Sequence, residues 1–217
     1  MEYREMLAHV DHTLLKAFAT WEDIVTLCDD AVKYRTASVC VPSCYVKRIK
    51  EKYQDTLNIC TVIGFPLGYV PTNVKVFEAK QAISDGADEI DTVINVTDVK
   101  NGLFDLVYEE LKALRVATAG KILKVIIETC YLTEDEKIKL CEIVTRVKAD
   151  YIKTSTGFGS GGATIEDVRL FKEHIGGGIK IKAAGGIRTL QAHEAFLNEG
   201  CDRLGSSSAV ALIKEME

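Results

Sequence analysis

The stretch YIKTSTGFGSGG, residues 151–162, reads in two halves. Residues 151–156 have the composition of a short buried strand. The glycine, serine and threonine run behind them has that of a tight turn opening a helix. Lys153 is out of place in such a strand. A second segment, KIKAAGG at 180–186, repeats the pattern with Lys182 in the matching position.

Six further β-rich runs flank these two: VDHTLL at 10–15, ASVCV at 37–41, NICTVIG at 58–64, DEIDTVIN at 88–95, ILKVIIET at 122–129 and RLGSS at 203–207. Helical patterns separate them. Thr20 with Asp23, Thr133 with Glu136 and Thr164 with Asp167 have the spacing of N-caps with an acid three residues on. Gly86, Gly120, Gly176 and Gly200 fall where helices should stop. Eight strand–helix units predict a single (β/α)8 TIM barrel over residues 1–217, in the α/β class. The segment EYREMLAH forms a short N-terminal helix. A doubly wound sheet is the alternative, but the first strand runs into LLKAF without a GxGxxG turn.

The composition is that of an ordinary globular chain, with a net charge of −5. No broad basic surface is available for nucleic acid. No apolar run approaches the roughly 18–20 residues of a membrane span. The N-terminus has no signal-peptide core. Seven scattered cysteines read as reduced thiols of a cytoplasmic protein. The C-x3-C pair of Cys40 and Cys44 has no partners to complete a zinc site, so no metal is expected.

Alternate strand residues in a barrel point to its axis. If the apolar residues face the helices, Asp11, Cys40, Glu89, Asp91, Lys153, Lys180 and Lys182 point inward. Lys153 and Lys182 sit on consecutive strands, with Asp91 across from them. A buried structural ion-pair cluster would account for these charges, but such clusters contribute little to stability. Two amines and a carboxylate suit Schiff-base chemistry. A neutral amine adds to a carbonyl, a second ammonium lowers its pKa from about 10.4, and the acid relays protons. Spacing does not say which lysine is the nucleophile. The turns TSTGFGSGGAT, GG and GSSS all open at one barrel face, where backbone N–H groups can hold phosphate. Glu89, at its strand's start, reads as structural, and Lys180, also near a strand start, as either structural or reaching solvent. His9, His12, His174 and His193 show no triad or metal spacing. His12 should face the helices, and His174 and His193 read as helix-surface residues.

The ordered motifs DHTLLK at 11–16, VIGFPLG at 62–68, DEIDTVIN at 88–95, KVIIETCYLT at 124–133, KTSTGF at 153–158, KAAGGIRT at 182–189 and LGSSSAVALI at 204–213 resemble the deoxyribose-phosphate aldolase family of class I aldolases over nearly the whole chain. Ala17 departs from the family in following Lys16, where a proline is common. The resemblance implies reversible cleavage of 2-deoxy-D-ribose 5-phosphate to D-glyceraldehyde 3-phosphate and acetaldehyde, without a cofactor. It implies Lys153 as the Schiff-base lysine, Lys182 as its activator and Asp91 as the proton relay. By the same alignment Thr156, Gly157, Gly185, Gly186, Ser207 and Ser208 are implied at the phosphate end, and Asp11 and Cys40 in the substrate pocket. A homo-oligomer, dimer or tetramer, is implied as well. The alternatives are another Schiff-base phosphosugar aldolase or a non-catalytic phosphosugar-binding barrel.

Overall fold

The computed structural model describes residues 3–216. Eight parallel strands close a barrel in sequence order, with the last strand pairing to the first. The first half runs α1 (Tyr3–Leu7), β1 (Val10–Thr13), α2 (Trp21–Tyr34), β2 (Ser38–Val41), α3 (Val46–Tyr53), β3 (Ile59–Ile63), α4 (Thr72–Ser84) and β4 (Glu89–Val93). Then come α5 (Val96–Lys100), α6 (Phe104–Ala117), β5 (Ile122–Ile126), α7 (Glu134–Val147) and β6 (Tyr151–Lys153). α8 (Ile165–His174), β7 (Lys180–Ala184), α9 (Leu190–Glu199), β8 (Arg203–Ser206) and α10 (Ala209–Lys214) complete the chain. All eight expected strands are present, and all but β2, which ends with its run at Val41, stop one to three residues short of the β-rich run. The final residues of those runs turn away to build the loops.

Alternation divides each strand between two environments. Val10, Val39, Val41, Ile90, Leu123, Val125, Ile152, Ile181, Ala183 and Leu204 join the apolar layer between strands and helices. Burial of such a side chain contributes roughly 1.5–3 kcal/mol. Their strand neighbours face the axis, and there the interior is polar.

Side-chain caps place the helices. Thr20 with Asp23 and Thr133 with Glu136 form complete capping boxes. Thr164 accepts from the Asp167 N–H, while the Asp167 carboxylate turns to Lys137 at 2.6 Å instead of closing the box. Gly200 ends α9 in the left-handed conformation. α2 and α7 end the same way on Arg35 and Lys148, which carry a Cβ. Gly68 is required by close approach: a Cβ there would lie 1.9 Å from the Ile94 carbonyl oxygen.

Candidate active site

Register decides what meets inside the barrel. Asp91 pairs with Lys124 across β4 and β5, Ile126 pairs with Lys153 across β5 and β6, and Lys153 pairs with Lys182 across β6 and β7. Paired residues of a sheet share a face, so the three lysines and Asp91 converge on the axis.

Asp91 is the centre. Its Oδ2 accepts from Lys153 Nζ at 2.8 Å and from Lys182 Nζ at 2.7 Å. Its Oδ1 accepts from Lys124 Nζ at 2.8 Å and lies 3.2 Å from Cys60 Sγ. Lys182 also donates to Asp11 Oδ2. Asp11 Oδ1 accepts from Ser38 Oγ at 2.7 Å and from Arg203. Lys124 reaches Glu89 at 2.5 Å, and Arg203 reaches the same carboxylate at 3.3 Å.

Burial on its own would raise the Asp91 and Asp11 carboxyls. The surrounding cations outweigh it and hold both below the usual carboxylate range. These are Lys124, Lys153 and Lys182 around Asp91, and Lys182, Lys124 and Arg203 around Asp11. Burial would lower Lys182, but Asp11 and Asp91 outweigh that and hold it above the ordinary lysine value. Lys182 is therefore a fixed ammonium sharing one carboxylate oxygen with Lys153.

Above this cluster lies a cavity of about 230 Å³. Its lining includes Lys153, Thr156, Gly157, Gly185, Gly186 and Ser207, with Lys16 and Arg188 at its edge. Lys153 is the member of the charged cluster that lines it. Lys182, Asp91, Asp11 and Cys40 are at most 1% exposed, packed beneath its floor. Ser208 does not line it: its N–H and hydroxyl turn to Ser206 Oγ and the Ile187 carbonyl. The Thr156 donors are occupied as well, both given to Glu128.

The rim is built by glycines. Gly157, Gly185 and Gly186 have φ of +85°, +84° and +79°. A Cβ on Gly162 would stand 2.2 Å from the Gly185 carbonyl oxygen, so the turns after β6 and β7 nest at backbone distance. The turn after β8 is tied from below. His193 Nδ1 lies 2.7 Å from the Thr189 carbonyl and Nε2 lies 2.8 Å from Ser206 Oγ. Since a carbonyl only accepts, Nδ1 carries the proton and Nε2 accepts the Ser206 hydroxyl. That oxygen receives the N–H groups of Ser208 and Ala209. His193 is thus buried and positions the start of α10, contrary to the helix-surface reading.

Sequence reasoning missed Lys124, Arg188, Arg203 and Glu128. Alternation with register would have found Lys124, which shares Asp91's row. Lys180 is exposed and lies over the Tyr151 ring at 5.7 Å, consistent with its reading as a strand-start residue reaching solvent. Two groups of donors have metal-like spacing, Cys40 with Cys60 and Asp91, and Asp11 with Cys60 and Glu89. Their carboxylates already pair with Lys124, Lys153, Lys182 and Arg203.

With this geometry described, the chain can be set beside known proteins. Residues 6–199 match the family model described as DeoC/LacD family aldolase. A Clostridium botulinum protein named deoxyribose-phosphate aldolase is 61% identical over 217 residues, covering 100% of this chain and 98% of that protein. The solved structure of QR15, an aldolase, superposes with TM-score 0.93 at 40% identity, over 98% of this chain and 96% of that one. A tetrameric deoxyribose phosphate aldolase from Aeropyrum pernix superposes with TM-score 0.91 at 30% identity, over 99% of this chain and 92% of that one. Among the described residues no helix is long and apolar enough to cross a membrane.

Proposed function

The chain belongs to the DeoC/LacD family of aldolases, and from that premise we propose that it cleaves 2-deoxy-D-ribose 5-phosphate reversibly to D-glyceraldehyde 3-phosphate and acetaldehyde through a Schiff base on Lys153. The observation that carries the assignment is access to the cavity, since all three lysines are buried and only Lys153 lines it. Lys153 opens into the cavity, while Lys124 and Lys182 are sealed beneath it.

The charge count supports it. Three fixed cations, Lys124, Lys182 and Arg203, face three carboxylates, Asp11, Glu89 and Asp91. The cluster is balanced when Lys153 is the free amine. That amine adds to the aldehyde carbon of the open-chain sugar to give a carbinolamine, and loss of water leaves an iminium. The iminium draws electrons from the adjacent bond. The C2–C3 bond breaks, the C3 hydroxyl gives up its proton, and glyceraldehyde 3-phosphate departs. Protonation of the enamine at C2 and hydrolysis then release acetaldehyde and restore Lys153. Asp91, bonded to Lys153 and Lys182 through one oxygen, is placed to pass protons between the substrate and the cluster.

The phosphate lies against Gly157, Gly185, Gly186 and Ser207, whose turns can offer backbone N–H groups, with Arg188 and Lys16 supplying charge. Ser208 braces that turn from behind, and Asp11 and Cys40 shape the floor. We further assign a cytoplasmic location, consistent with seven free cysteines. The protein acts as a homo-oligomer, dimer or tetramer. Exposed Val74 and Phe77 of α4 and Leu106 of α6 supply an apolar face for a second copy.

Borohydride reduction with the sugar phosphate tests the central claim. Peptide mass spectrometry is expected to find the adduct on Lys153. An adduct on Lys182 overturns the assignment, and no adduct with retained binding points to a non-catalytic barrel.

A further inference from the structure

Glu128 stands outside the charged cluster, and none of the reaction steps uses it. It follows β5 and takes the left-handed conformation, φ 52° and ψ 66°. That conformation is unfavourable for a residue with a Cβ and persists where surrounding contacts impose it. The residue is 3% exposed, and among the described residues it forms no ion pair.

Both of its oxygens go to one residue of the next strand's loop. Oε1 accepts the Thr156 N–H at 3.1 Å, and Oε2 accepts the Thr156 hydroxyl. With its proton committed to Glu128, the hydroxyl oxygen accepts the Phe158 N–H at 3.0 Å. The chain of bonds therefore runs from Glu128 through Thr156 to the backbone of Phe158, across Gly157. Phe158 packs edge-on against Phe65, with centroids 5.3 Å apart. The loop passes directly over the carboxyl: a Cβ on Gly159 would lie 3.1 Å from Glu128 Cδ. A carboxyl beneath an anion pocket is the wrong sign for direct contact with phosphate. Its bonding makes sense as a clamp.

We propose that Glu128 is a positioning residue. By gripping the N–H and hydroxyl of Thr156, it fixes the turn at 156–158 against Gly185 and so sets the preference for a phosphorylated over an unphosphorylated sugar. The choice of sugar rests on the aldolase reading; the effect on anion binding does not.

Two readouts separate these. The first is the ratio of kcat/KM for 2-deoxyribose 5-phosphate over 2-deoxyribose. The second is the affinity of the non-reacting protein for inorganic phosphate by titration calorimetry. Losing two hydrogen bonds corresponds to roughly a tenfold to hundredfold change. Glu128→Ala is expected to lower the ratio, and to weaken phosphate binding, by that factor. Glu128→Gln keeps one acceptor for the Thr156 N–H and retains the side chain's packing, so it is expected to lose less. Thr156→Val is expected to weaken phosphate binding too, and Glu128→Ala combined with it is expected to be no worse than the poorer single variant, because both break one chain of bonds. A parallel fall for both sugars with phosphate affinity unchanged overturns the proposal, as does full additivity in the double variant. If the unmodified protein binds phosphate but cleaves neither sugar, the aldolase reading fails, while the phosphate titrations still decide the role of Glu128.

Discussion

Replacing Lys124 with methionine is the sharpest perturbation of the charge cluster, because the side chain is fully buried and nearly the same length. Its ammonium lies 2.5 Å from Glu89, 2.8 Å from Asp91 and 3.6 Å from Asp11. Removing it leaves those three carboxylates facing only Lys182 and Arg203 as fixed cations. Breaking a buried pair from one side costs about 3–5 kcal/mol. At about 2–4 °C per kcal/mol for a chain of this size, the melting temperature should fall by on the order of 10 °C. Turnover should fall at least tenfold, because Asp91 loses the donor that holds its Oδ1 and with it the orientation in which its Oδ2 meets Lys153. Differential scanning calorimetry and an aldol-cleavage assay read the two effects. The control is Lys124→Met with Glu89→Gln, which restores the count to two cations against two carboxylates. It should recover at least half of the lost stability. A double variant less stable than Lys124→Met alone would refute the charge-balance argument.

Three further outcomes are expected. Burial, opposed in part by Asp30, holds the His12 ring down to about 4. Between about 6.5 and that value the unfolded chain takes up a proton that the folded one does not, so stability falls as pH drops through this window, by on the order of 3 kcal/mol. Urea melts at pH 7 and 4.5 should show a smaller loss for His12→Gln, since the depressed Asp11 and Asp91 contribute only below about 3.8. Gly162→Ala forces the turns after β6 and β7 apart, because its Cβ would meet Gly185 at 2.2 Å. Overpacking of roughly 1–3 kcal/mol should raise KM for the phosphorylated sugar and weaken inorganic phosphate binding. EDTA should leave turnover unchanged, because the carboxylates with metal-like spacing already pair with ammonium or guanidinium groups; loss of activity reversible by zinc would count against this.

The barrel was legible because its strands carry a fixed phase wherever one face is apolar and the other is not. In residues 88–95, Ile90 and Thr92 point one way and Glu89 and Asp91 the other, so the inward set follows. In residues 122–129, Ile, Leu and Val occupy both faces, so apolarity sets no phase there. Lys124 was overlooked for that reason: only its register with Asp91 puts it inside. His193 was misread by residue type. Its spacing with Phe196, three residues on and also buried, was the available signal of an inward helix face. Arg203 and Glu128 act through partners in other β/α units, and spacing along the chain carries no trace of such contacts. The glycine-rich turns were readable as turns that meet at one barrel face, but not which of their donors stay free. That depends on Glu128 claiming Thr156 and on Ser206 claiming Ser208.

The cluster also has a bearing on how the chain acquires its shape. Asp11 and its partner Arg203 are 192 residues apart, and Lys182 lies 171 residues from the same carboxylate. A nascent chain that has made only its first six strands carries three of the cluster's carboxylates, Asp11, Glu89 and Asp91, and only Lys124 of the three cations that balance them, with neither Lys182 nor Arg203 yet made. Burying that set is unfavourable until the last two strands arrive. Loop-closure entropy opposes so distant a pairing in any case. Ring closure and charge neutralisation therefore happen together, late. A truncated product lacking β7 and β8 keeps an interior that stays wet, and a protease can recognise it as unfinished.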